Sequence, residues 1–133
     1  MTVRQRRTPM KAILSVPFLL VVAFVVYAEG SFSFAIWNAL PVAIGFGVLL
    51  IGLRSRGATA AGCIAFAVSV TVLVEAFHLA WLFDWGRLAT GSSTSALAFI
   101  LLPFWVIVFA GIIGLAAWGV ARIVLRRAHD RFH

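Results

Sequence analysis

Four long apolar segments divide the chain, and short polar or basic segments separate them. The apolar segments cover about residues 12–28, 34–53, 58–83 and 96–120. Each is close to or longer than the roughly 20 residues that an α-helix needs to cross about 30 Å of hydrocarbon. The first segment does not alternate apolar and polar residues, as a lipid-facing β-strand would. The pattern therefore predicts four transmembrane helices, because a helix pairs its own backbone amides in lipid.

The composition excludes the soluble classes of protein. Hydrophobic residues make up 63% of the 133 residues and charged residues 11%, against about 45–50% and 25% in ordinary globular domains. The mean hydropathy is +1.08. We therefore predict an all-α, four-helix transmembrane bundle that forms one integral membrane domain over residues 1–133. A basic arm at 1–11 and a tail at 121–133 complete it.

Basic residues cluster on one side of the predicted bundle. Four precede the first helix, two lie in the connection between the second and third helices, and four lie in the tail, which leaves Arg87 alone on the other side. Cytoplasmic loops have an excess of Lys and Arg. The charges therefore predict cytoplasmic N- and C-termini in a bacterial-type inner membrane. They indicate anchoring to the lipid bilayer, and no nucleic-acid partner is expected.

A second interpretation of the N-terminus stays open. Arg6 and Arg7 precede the first apolar segment, and Ala28 ends a small-residue sequence of the kind that signal peptidases cleave. In this interpretation residues 1–28 are removed and three helices remain. The first apolar segment is long for a signal peptide, which favours a retained helix.

Two ionisable residues lie inside the third apolar segment. Glu75 and His78 are three residues apart, so they share one side of a helix. A charge at this depth costs on the order of 2–3 kcal/mol, which favours a position inside the bundle. Asn38 begins the second segment near the same outer side. We predict an intramembrane polar site of Glu75, His78 and Asn38, which acts either as an interhelical clasp or as a proton- or cation-linked site.

The longest connection lies between the third and fourth segments and is polar. Ser and Thr before a helix usually cap its free amides, although those amides also attract anions. We expect this connection to extend the polar layer on the outer side. Its candidate contacts are Asp84, Arg87, Ser92, Ser93, Thr94 and Ser95.

The sequence indicates neither a metal site nor an enzyme. The Glu75-x-x-His78 spacing matches one quarter of the ligand pattern of di-iron bundles, but a second such motif and two further carboxylates are missing. A bis-histidine haem needs a second intramembrane histidine, and His129 and His133 lie in the tail. We therefore expect no metal, no other cofactor and no catalytic activity.

Small residues recur at helical spacing in two segments. Small residues let helices approach closely in lipid. We interpret these faces as contacts within the bundle or with a second copy or another membrane protein. They consist of Gly57, Ala61, Ala65 and Ser69 in the third segment and of Ala110 and Gly114 in the fourth.

Two functions fit this sequence. The first is an accessory, assembly or protective subunit of the inner membrane that acts by interaction. The alternative is a small transporter or channel subunit with a proton- or cation-linked Glu75/His78 site open to the outer side. The sequence indicates neither a substrate nor an oligomeric state.

Overall fold

The computed structural model is all-helical, which confirms the predicted fold class. It describes the backbone of residues 7–30, 32–92 and 96–130, and the side chains of residues 13–30, 34–92 and 96–130. A 3-10 turn at Trp85–Arg87 lies between the third and fourth helices. The four helices are α1 (Arg7–Glu29), α2 (Phe32–Gly52), α3 (Gly57–Leu82) and α4 (Leu97–Asp130).

Three of the helices are long and apolar enough to cross a membrane. These are α3, α4 and the part of α2 that covers Phe34–Gly52, whereas the apolar part of α1, Ile13–Glu29, is shorter. The 34 residues of α4 extend about 51 Å at 1.5 Å per residue. This length exceeds the roughly 30 Å of hydrocarbon in a bilayer, so α4 is longer than a single crossing requires.

The first and last helices extend beyond the predicted membrane spans. Residues 121–130, which we assigned to a tail, continue α4, and α1 already begins at Arg7 within the predicted arm. The apolar pattern ends near Val120, but the following residues are mainly Ala, Leu and Arg, which favour helix. Hydrophobicity therefore falls near Val120, before the end of the helix at Asp130.

Gly30 ends α1 and allows the chain to reverse. Its φ of +60° lies in the left-handed region, which a glycine adopts at little cost and which commonly ends helices. Because α2 begins at Phe32, the last residue of α1 lies close to the first turns of α2.

Helices α3 and α4 pack closely at two facing glycines. A Cβ atom added to Gly62 would lie 3.0 Å from the carbonyl oxygen of Gly114 and 2.9 Å from the Cβ of Trp118. A Cβ added to Gly114 would lie 3.1 Å from the carbonyl oxygen of Gly62. Ala110, one turn before Gly114, is fully buried. The predicted Ala110/Gly114 face is therefore occupied by α3 and does not stand free for a partner.

The other predicted small-residue face flanks this contact. Gly57 is exposed, and Ala61, Ala65 and Ser69 are half-buried. The close approach runs through Gly62, beside this stripe. The use of the stripe by a second copy or another membrane protein stays a prediction.

Valine side chains fill much of the core between the helices. Val25, Val42, Val70 and Val74 are fully buried, one or more on each of α1, α2 and α3. Phe18 of α1 contacts Phe46 of α2, with ring centroids 5.2 Å apart. Two buried polar side chains, Asn38 and His78, lie near the other end of the core and belong to the candidate site.

Candidate functional site

A polar cluster joins α1, α2 and α3 near one end of the bundle. Glu29 is the last residue of α1, Asn38 lies in the second turn of α2, and His78 lies four residues before the end of α3. Asn38 and His78 have 0% exposure, and the Glu29 side chain has 3%. Four residues correspond to about 6 Å of helix, so the cluster lies just inside the bundle.

Glu29 is the centre of this cluster. Its Oε1 accepts a hydrogen bond from Asn38 Nδ2 at 2.7 Å and lies 2.9 Å from His78 Nε2. The other ring nitrogen of His78, Nδ1, lies 2.8 Å from the carbonyl oxygen of Val74. One carboxylate oxygen therefore connects three helices.

These contacts determine where a proton must be. A backbone carbonyl only accepts hydrogen bonds, so His78 Nδ1 has a hydrogen and donates it to Val74. The contact between His78 Nε2 and Glu29 Oε1 then needs one further proton, because otherwise two lone pairs would face each other. The pair is either an imidazolium with a carboxylate or a neutral imidazole with a carboxylic acid, and both have zero net charge. Glu29 and His78 thus share one proton.

No other ionic partner reaches this pair within the described chain. The described part of α2 has no ionisable residue, and α4 has none before Arg122. On α3 the nearest ionisable residue is Glu75, and Arg87 in the following connection is exposed. Among the described residues, the contact between Glu29 and His78 is the one with the geometry of a salt bridge.

Aromatic rings enclose the imidazole. The ring centroids of Phe24, Phe77 and Phe99 lie 6.4, 5.8 and 5.6 Å from that of His78, all in edge-to-face geometry. Phe24 belongs to α1, Phe77 to α3 and Phe99 to α4. All four helices therefore contribute to the site, and the rings shield the imidazole from water.

A cavity of about 200 Å³ lies beside Glu29. The second carboxylate oxygen, Oε2, is buried and has no hydrogen-bond partner among the described residues, and the same holds for Asn38 Oδ1. Glu29 therefore has one oxygen with two polar contacts and one buried oxygen with none among the described residues. The cavity is lined by Ala28, Glu29, Phe34, Trp81, Ala96 and Phe99.

The predicted pairing of Glu75 with His78 is wrong. Both ring nitrogens of His78 are already used, by Val74 on its own helix and by Glu29 on α1. Glu75 is half-buried, and its Oε2 is buried without a hydrogen-bond partner. The spacing placed both residues on one side of α3, but the imidazole points across to α1. A role for Glu75 alone stays a prediction.

The predicted site did not include Glu29. It lies 49 positions from His78, so local spacing gives no indication of their contact. The available signal was its position. Glu29 ends the first apolar segment at the depth where Asn38 begins the second, and a short turn brings those two ends together.

Asp84 organises the connection between α3 and α4. Its Oδ1 accepts hydrogen bonds from the backbone N–H groups of Ala89 at 2.8 Å and Thr90 at 3.1 Å, and its Oδ2 accepts one from the Thr90 hydroxyl. The Thr90 hydroxyl, together with the two backbone N–H groups, holds the pKa of Asp84 below its ordinary value. Asp84 therefore stabilises its own turn.

Arg87 and Ser92, two of the other predicted loop contacts, are not among the residues that line the cavity. Arg87 is exposed with a φ of +63°, and Ser92 is also exposed. Ser93, Thr94 and Ser95 lie outside the described residues. Their role as outer-loop contacts stays a prediction.

No family model, curated protein or solved structure matches this chain. Within the described ranges, no three His, Cys, Asp or Glu side chains lie close enough together to hold a metal ion. The shared proton and the adjacent cavity are the features of this structure that bear on function.

Proposed function

We propose that this protein is a small transporter or channel subunit with a proton-linked site at Glu29, Asn38 and His78. The observation that supports it is the asymmetry of the Glu29 carboxylate. Its Oε1 takes part in the shared-proton pair, whereas its Oε2 is buried with no hydrogen-bond partner among the described residues. Glu29 also lines a cavity. A purely structural clasp has no need of a neighbouring cavity or an unpaired oxygen.

The proposed setting is the cytoplasmic (inner) membrane, with four crossings and both termini inside. The excess of Lys and Arg at the N-terminus, at residues 54–56 and after Val120 supports this orientation. The cluster lies at the end of the bundle where α1 meets α2 and α3 leads to α4. In the sequence of the loops at that end, Arg87 is the only Lys or Arg residue. The shortage of basic residues supports a cavity that opens toward the outer side.

The net charge of the Glu29–His78 pair couples release of the shared proton to binding of a cation. With the shared proton present, Glu29 and His78 together are neutral, and a cation entering the cavity gains little from them. When the proton leaves, the pair has one negative charge, and the Oε2 atom attracts a cation strongly at low dielectric. Proton and cation therefore compete for one carboxylate.

The C-terminal end of α4 supports a second function, that of an accessory subunit that acts by interaction. Residues 121–130 continue the helix, and their exposed basic residues include Arg122, Arg126 and Arg127. The Arg122 guanidinium lies 5.0 Å from the centre of the Trp118 ring. A basic helix of this kind suits anionic lipid headgroups or an acidic partner, as an accessory subunit that acts by interaction would need.

Ion flux in proteoliposomes tests the transporter proposal. A pH gradient is imposed, and its dissipation is followed with an internal pH dye after addition of Na⁺, K⁺ or tetramethylammonium. The wild type is expected to dissipate the gradient with at least one of these cations. Glu29→Gln is expected to reduce the rate to that of empty vesicles, because it removes the exchangeable proton.

Glu75→Gln is the matched control, since it makes the same chemical change one turn away from His78. It is expected to keep the wild-type rate. Size-exclusion chromatography and thermal unfolding show whether each variant is folded. If folded wild type dissipates the gradient no faster than empty vesicles with every cation, or if Glu29→Gln behaves as wild type, the transporter proposal is wrong and the accessory function is favoured.

A further inference from the structure

We infer that the cavity beside Glu29 binds a small alkylammonium ion in exchange for the proton that Glu29 shares with His78. This inference rests on the proposed function and names the substrate class of the same site. It is argued from the walls of the cavity, its volume and the charge of the pair.

The walls of the cavity suit an organic cation. Three aromatic residues, Phe34, Trp81 and Phe99, line it together with Glu29. Trp81 and Phe99 are in contact, with ring centroids 4.4 Å apart at an interplanar angle of 73°, so two ring surfaces of different orientation meet. Aromatic faces attract cations, and alkylammonium groups are recognised in this way. The unpartnered Oε2 of Glu29 supplies the countercharge.

The volume favours a small ligand. The cavity measures about 200 Å³, whereas pockets for drug-sized ligands measure about 300–1,000 Å³. Apart from Glu29, the lining residues are Ala, Phe and Trp, whose apolar surfaces suit methyl groups.

The same lining disfavours inorganic cations. Ca²⁺ binds six to eight oxygen ligands, and Mg²⁺ needs octahedral oxygen coordination. Among the described side chains that line the cavity, Glu29 is the one that offers oxygen atoms. An alkylammonium ion needs no such shell, because its charge is spread over carbon-bound hydrogens that the rings contact directly.

The exchange conserves charge. Before binding, the Glu29–His78 pair holds the shared proton and is neutral. The alkylammonium ion enters the cavity and the proton leaves to solvent. Because no proton then lies between Oε1 and Nε2, the ionised Glu29 turns away from His78 Nε2 and pairs with the bound cation, while His78 stays neutral with its Nδ1 hydrogen on Val74. Asn38 continues to donate to Oε1, so the carboxylate remains held in both states. No bond other than the one to the proton is broken.

Calorimetric titration of the purified full-length protein with tetramethylammonium tests this inference. Titrations in two buffers of different ionisation enthalpy count the protons released, and we expect about one proton per cation bound. tert-Butanol, a neutral molecule of similar bulk, is expected not to bind. Glu29→Gln is expected to abolish proton release.

Two tryptophan variants test the position of the bound cation. Trp81→Leu removes a wall of the cavity and is expected to weaken binding about 2- to 30-fold, the range of cation–π interactions. Trp85→Leu is the matched control because Trp85 is 61% exposed and does not line the cavity. It is expected to bind as wild type does.

The outcomes separate this inference from the proposed function. Binding with proton release that depends on Glu29 and Trp81 supports both. If tetramethylammonium does not bind while Na⁺ or K⁺ dissipates the pH gradient in a Glu29-dependent manner, the inference is wrong and the transporter proposal stands. Binding without proton release, or binding that neither Glu29→Gln nor Trp81→Leu weakens, also overturns the inference.

Discussion

Replacement of Glu29 by Ala is expected to destabilise the bundle through two buried groups that lose their partner. Asn38 Nδ2 and His78 Nε2 both contact Glu29 Oε1, and both residues have 0% exposure. A buried polar group left unsatisfied costs about 1–3 kcal/mol, so the two together cost about 2–6 kcal/mol.

The lower end of that range applies in a membrane protein. Side-chain hydrogen bonds between transmembrane helices average about 0.6 kcal/mol and reach about 1.7 kcal/mol, because the unfolded chain in the membrane also finds partners. We therefore expect Glu29→Ala to lower the free energy of unfolding by about 2 kcal/mol. Reversible unfolding in mixed micelles with increasing sodium dodecyl sulfate measures this loss.

Two comparison variants make the measurement specific. Glu29→Gln is expected to retain most of the stability. One hydrogen of the new side-chain amide is donated to His78 Nε2, and the other is donated to Asn38 Oδ1 after the Asn38 amide rotates. Glu75→Ala removes a carboxylate whose Oε2 has no hydrogen-bond partner and is expected to cost less than about 1 kcal/mol. Equal stabilities of wild type and Glu29→Ala, or a larger loss for Glu75→Ala, would refute the role assigned to Glu29.

Three further predictions concern the bundle, the connection and the orientation. Gly62→Ala is expected to cost about 1–3 kcal/mol by overpacking α3 against α4, whereas Gly111→Ala, which points into open space, is expected to be neutral or stabilising in the same unfolding assay. Asp84 has a lowered pKa because of its hydrogen bonds, so it stabilises the fold above the ordinary aspartate pKa. The difference in Tm between wild type and Asp84→Asn is expected to be largest above about pH 4 and to shrink as the pH falls; a constant difference would contradict this. In a cysteine-free background on intact cells, Ser92→Cys is expected to react with a membrane-impermeant maleimide and Ser55→Cys is not, and the reverse pattern would contradict the proposed orientation.

The helices were predictable because every backbone amide of a membrane-spanning segment must form a hydrogen bond within the protein. Apolar length and the need to pair backbone amides indicated four helices, and the structure has them. The end of α4 was not predictable from hydrophobicity, since residues after Val120 stay helical while they become charged. Helix propensity was the relevant signal there, and it is independent of the membrane.

The candidate site was only partly predictable, because it depends on how helices rotate against one another. His78 and Asn38 were identified, since a polar residue in an apolar segment is costly unless it finds a partner. The partner itself comes from α1 and lies far from His78 in sequence. The spacing of Glu75 and His78 concerns neighbours on one helix, whereas the observed pair, Glu29 and His78, connects α1 to α3.

Solid-state NMR of histidine-labelled protein in lipid bilayers tests the shared proton most directly. The ring ¹⁵N shifts of His78, assigned by comparison with His78→Asn, report which nitrogen has a hydrogen. The account predicts a protonated Nδ1 at every pH at which the protein is folded, and an Nε2 signal that changes in Glu29→Gln but not in Glu75→Gln. A neutral His78 with its hydrogen on Nε2 and a bare Nδ1, or an Nε2 signal indifferent to Glu29, would contradict it.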